Sequence, residues 1–100
     1  MRYMYHATSM GNLCDIMNSG VLPGPDGVVY MCEKPEDSAK FLAVRGIRNI
    51  LVCEIKVLKR DEKLIHETFD HSERFFKCRA FGYAGHIKPE MVVNYYKYEL

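Results

Sequence analysis

The chain has no excess of charge of either sign: 14 lysines and arginines against 13 acidic residues, a formal net charge of +1. Bulk charge therefore implies neither a nucleic-acid coat nor a membrane-surface binder. There is no C-x-x-C pair among the four cysteines, Cys14, Cys32, Cys53 and Cys78. Zinc sites need clustered ligands, and this even spacing does not offer them, so no metal is expected. The N-terminal stretch has no apolar core of signal-peptide length, and no run of residues is apolar and long enough to span a membrane. Repeats and low-complexity segments are lacking too. These absences point to reduced, buried thiols acting as small hydrophobes and to a cytoplasmic protein without a membrane partner.

What is present is a folding sequence of one hundred residues, with a hydrophobic fraction of 48% and an aromatic fraction of 12%. That length makes a single domain, 1–100. A chain of this size buries roughly two-thirds of its unfolded surface, enough for a core without disulfide or metal staples.

The opening "MRYMYHAT" reads as a first strand carrying one histidine, His6. Ser9 is an expected N-cap, and Met10, Leu13, Ile16 and Met17 recur at helical spacing on one apolar face. Gly20 is placed to end that helix, and "VLPGPDG" reads as a loop. "VVYMC" is a short apolar strand holding Tyr30. Pro35 suits the first turn of a second helix, with Glu36 and Asp37 near its positive end, Ala39, Phe41, Leu42 and Val44 inside it, and Gly46 as its stop.

"NILVCEIKVL" is the strongest strand, alternating in its second half through Cys53, Ile55 and Val57; "KRDEK" is a charged turn. In "LIHETFDHSERFF" the aromatics point to folded structure and the polar residues to a loop. "CRAFGYAGHI" reads as a strand whose glycine marks a bulge or a close backbone approach. Pro89-Glu90 makes a corner, and "MVVNYYKYEL" closes as a strand. The pattern β-α-β-α-β followed by a β-rich half predicts an α+β fold with an antiparallel or mixed sheet and two helices in the N-terminal half.

Taken alone, His6 is a structural histidine and Tyr30 a core aromatic. Taken in order, the pieces resemble the ADP-ribosyltransferase superfamily. The residues that carry the resemblance are "HAT" (His6 to Thr8), "I-x-x-x-G-x-L" (Ile16, Gly20, Leu22), "GVVYMCE", the helix with Ala39, "ILVCEIKV" and "GHIKPEMV". They extend over about residues 3 to 93. The nearest likenesses are the RNA 2′-phosphotransferases, whose domain ends in a similar "G-x-I-x-P-E-x-V", and the DNA-targeting ADP-ribosyltransferase toxins.

The resemblance implies a split sheet that binds NAD, used as a substrate, in a cleft across the split. It implies that His6 hydrogen-bonds the ribose next to adenine, with Thr8 assisting, and that Tyr30 walls the nicotinamide or its ribose. An imidazole can donate one hydrogen bond and accept another, and an aromatic ring offers a flat face to a heterocycle. The "LPGPDG" loop would lie over the ligand. The acceptor would be a protein, a nucleic acid or a small molecule, and the small free-standing domain suggests a phage or bacterial effector.

Most members carry a glutamate on the last motif strand, where this chain has Phe81. The RNA 2′-phosphotransferases are also apolar there and rely on basic residues around a phosphate, for which Arg45, Arg48 and Arg79 are candidates. They also carry an RNA-binding N-terminal domain that this chain does not match. "FDHSERFF" supplies a second source of polar groups. Asp70, His71 and Glu73 are the candidate catalytic residues: a carboxylate beside an imidazole serves as base or ribose anchor, and a carboxylate stabilises the charge that develops on ribose. The same segment also reads as a polar turn fixed by Asp70 and Ser72. Two alternatives to an NAD-dependent transferase follow: a catalytically inactive module that binds NAD or ADP-ribose, and an enzyme like the RNA 2′-phosphotransferases.

Overall fold

The computed structural model describes residues 1–68 and 80–99. Among the described residues six strands form one antiparallel sheet: β1 (Arg2–Ser9), β2 (Val29–Cys32), β3 (Asn49–Val57), β4 (Ile65–Thr68), β5 (Ala80–Tyr83) and β6 (Val92–Glu99). Their order across the sheet is β4-β5-β2-β1-β3-β6. Two α-helices, α1 (Leu13–Ser19) and α2 (Pro35–Ala43), lie in the N-terminal half. The fold is α+β, as the pattern of elements predicts.

β3 is the spine of the sheet, because it is apolar on both faces. Leu51, Cys53, Ile55 and Val57 point into the larger core, with Met4, Met31, Phe81, Tyr83, Ile16, Val21 and Ile87. Ile50 and Val52 point the other way and pack with Ala39 of α2, flanked by Tyr5, Ala7, Leu42 and Tyr98. Each such side chain contributes roughly 1.5–3 kcal/mol when fully buried. Glu54, on the same face of β3 as Val52, accepts hydrogen bonds from Tyr5 Oη (2.8 Å) and Asn94 Nδ2 (2.8 Å).

The structure corrects several local expectations. Ser9 makes no side-chain cap; a 3-10 turn over Met10–Asn12 precedes α1. Asn12 turns its Nδ2 back to Thr8 Oγ1 at 2.8 Å. Met10, Leu13 and Ile16 face the core, but Met17 is exposed, because a helix of seven residues has room for only a narrow buried stripe. Val44 lies past the end of α2 and is exposed. The "KRDEK" turn is the body of a 3-10 segment, Lys59–Leu64.

Three glycine and proline expectations are met. Gly20 closes α1 at φ +75° with its N–H on Ile16 O, Pro35 starts α2, and Gly46 follows α2 at φ +84°. In β5 the glycine marks neither a bulge nor a backbone approach: both ladders through Gly82 are regular, and side chains crowd it, so that a Cβ would lie 2.6 Å from Val28 and 2.9 Å from the His66 ring.

Candidate functional site

The sheet is weakest between its two middle strands. β1 pairs with β3 through eight registered residues, whereas β1 and β2 share one registered pair, Tyr5 with Cys32. Beyond that pair the strands part, and a side chain bridges them. His6 Nδ1 lies 2.8 Å from the carbonyl oxygen of Tyr30. A carbonyl only accepts, so Nδ1 carries the proton, and the neutral ring keeps Nε2 as an acceptor. Burial lowers the imidazole pKa from its ordinary 6.5, against a smaller opposing effect of the Tyr30 carbonyl. His6 is therefore neutral at pH 7.

Tyr30 is held at both ends. Its carbonyl accepts from His6, and its hydroxyl donates to Asp26 Oδ2 at 2.5 Å. Asp26 Oδ1 accepts from the Val28 N–H at 3.2 Å, which makes an Asx turn of the loop before β2. The Tyr30 hydroxyl, and after it the Val28 amide, hold the Asp26 carboxyl below its ordinary 3.8. Strand alternation turns the Tyr30 side chain to the α2 side, level with Ala7, and His6 to the α1 side with Met4. Both nevertheless border the same two clefts.

Three clefts adjoin at His6. The first, of about 510 Å³, lies between the split and α2 and is bordered by His6, Tyr30, Tyr5, Cys32, Phe41, Leu42 and Arg45. Its walls are mainly apolar, Ser38 already donates to Pro35 O at 2.7 Å, and Arg45 is exposed at one side. The second, of about 480 Å³, lies against the loop and is bordered by His6, Leu22, Pro25, Asp26 and Tyr30. The third, of about 380 Å³, runs along α1 past His6, Thr8, Asn12 and Asp15. These volumes fall within the range of small-molecule sites, and apolar walls with a few converging polar groups are their usual make-up.

Of the candidate residues, His6, Tyr30 and Arg45 share the first cleft, and Thr8 meets His6 in the third. Arg48 is exposed and borders none of the three. Asp70, His71, Glu73 and Arg79 lie outside the described residues. Phe81, at the position where the resemblance implies a glutamate, is buried in β5 with the Arg2 guanidinium carbon 5.1 Å from its ring centre. It stands in the core and not at a cleft mouth.

Two acidic residues at the clefts do not stand out in the sequence: Asp26, in the proline-glycine loop, and Asp15, in the first helix. The signal for Asp26 was the Asp-Gly turn with a tyrosine four residues on, a spacing that lets a turn carboxylate meet a strand hydroxyl. No group of three or more potential metal ligands occurs among the described residues. None of their helices is long and apolar enough to cross a membrane. Neither a protein-family model nor a curated protein matches the sequence.

Proposed function

We propose that the chain binds NAD, or a related ADP-ribose nucleotide, at the β1–β2 split and transfers ADP-ribose from it to a macromolecular or small acceptor. One observation carries this reading: the His6 imidazole stands where the sheet parts, its Nδ1 on the Tyr30 carbonyl, at the meeting of three clefts, with Tyr30 and Arg45 bordering the largest. In this reading His6 Nε2 accepts from a ribose hydroxyl, Arg45 faces the pyrophosphate, and the apolar wall takes a flat ring. The bond from ribose C1′ to the nicotinamide nitrogen breaks, and its electron pair leaves with nicotinamide. An acceptor lone pair then closes on C1′, and the acceptor gives up its proton. Positive charge on the ribose is the point at which fixed negative groups lower the barrier.

The burial of Phe81 favours a second reading, a module that holds the nucleotide without cleaving it. Calorimetric titration with NAD and, in parallel, transfer of label from NAD to a cell lysate decide between them. Binding with transfer supports the enzyme, and binding alone supports the module. A chain that does neither is not a nucleotide-binding domain.

A further inference from the structure

We infer that Asp26 is the carboxylate of this site and takes the vicinal hydroxyls of a ribose, opposite His6. The inference rests on the nucleotide reading above and names the group that grips the sugar.

The argument is one of donors and acceptors. At neutral pH His6 presents only a lone pair at Nε2, because Nδ1–H is spent on Tyr30. Asp26 presents only lone pairs. Its two oxygens offer about four acceptor positions; the Tyr30 hydroxyl and the Val28 amide occupy two, and the backbone N–H of Asp26 itself also leans on the carboxylate, which leaves room for a further donor. Two acceptors bordering one cleft ask for a ligand with two neighbouring donors. The cis-diol of a ribose is such a group. On the far side of His6 the adjoining cleft carries a cation, Arg45, and an apolar wall of Phe41 and Leu42. A diol, an anionic group and a flat apolar portion together describe a nucleotide.

The carboxylate is also ready-made. Tyr30 orders one oxygen and the turn amide orders the other, so little side-chain freedom remains to be lost when a ligand arrives. Because the same tyrosine is tied through its carbonyl to His6, the two acceptors are fixed relative to one another by a single residue. The other acidic group near the clefts, Asp15, stands beside Thr8 and Asn12 in the third cleft, away from Tyr30.

The test is calorimetric titration of the whole chain with NAD and with NAD analogues that lack the hydroxyls of one ribose or the other. Three proteins are compared: the native chain, Asp26→Ala and Asp26→Asn. Asp26 is exposed, so the variants should fold, and melting curves check this. The second variant keeps an acceptor for the Val28 amide should the first loosen the loop. The native chain should bind NAD, and both variants should bind it roughly tenfold or more weakly, the loss expected for a hydrogen bond to a charged acceptor. For one of the two deoxy analogues the variants and the native chain should bind alike. A native chain that binds NAD with variants that match it overturns the inference and leaves the nucleotide reading standing. So does an equal loss for NAD and for both analogues, which would make Asp26 a loop-shaping residue. A native chain that does not bind NAD removes the nucleotide reading itself, and the inference with it.

Discussion

His6 links the site to stability. Its folded pKa lies below the ordinary 6.5, so the unfolded chain takes up a proton that the folded chain refuses. Its contribution is complete above 6.5 and is lost as pH falls below that value. The slope from one such group is bounded at about 1.4 kcal/mol per pH unit. The carboxyls of Asp26 and Glu54 also have lowered pKa values, but their contributions fade only below their own ordinary values of 3.8 and 4.5. Urea unfolding at pH 7.5, 6 and 5 should therefore show a loss that is reduced in His6→Asn, whose amide can still donate to Tyr30. Equal slopes in the two proteins would mean that the imidazole is not held neutral by the fold. At this scale part of the site was legible. The histidine and tyrosine announce themselves as polar or aromatic groups on short apolar strands. Asp26 does not, because its value depends on where the turn aims its oxygens, and residue type alone carries no direction.

Among the elements, α1 is the one most dependent on a single backbone position. Gly20 has φ +75°, and a Cβ there would sit 1.9 Å from the carbonyl oxygen of Ile87. That carbonyl accepts from the Val21 N–H at 2.8 Å, and His86 Nε2 meets Ser19 O at 2.5 Å beside it. The helix end is thus sewn to the segment before β6. Gly20→Ala adds a strained dihedral to a backbone clash and should cost about 2 kcal/mol or more. Denaturant unfolding checks it; a loss under half that size would show that the seam can shift to admit a methyl group. The glycine stops, the proline start and the strand β3 were readable from sequence because each follows from local sterics or from alternation over several residues. The capping of α1 was not, because Asn12 spends its side chain on Thr8 and the helix starts only after a 3-10 turn. Strand order was not legible either: nothing in the residues of β2 says that β5 will be its neighbour.

Across the whole molecule the sheet divides into two leaves. β1, β3 and β6 are joined by long registered ladders, while β4, β5 and β2 form ladders of four pairs each. Between the leaves β1 and β2 share one registered pair, with the His6 bond and the Arg2–Phe81 contact beside it. Amide hydrogen exchange should show this as two classes, with interior amides of β3 opening only with global unfolding and those of β2 and β5 opening at lower free energy. Uniform protection would mean that the leaves behave as one body. The topology also sets how the chain must assemble. Met4 pairs with Ile55, Met31 with Phe81 and Val52 with Tyr96, partners far apart along the chain. Each of these three ladders must first close a long loop of chain, at an entropic cost that contacts return only afterwards. Folding on the scale of milliseconds to seconds follows from that. During synthesis, β1 leaves the ribosome with its apolar face uncovered and waits for β3 to be made.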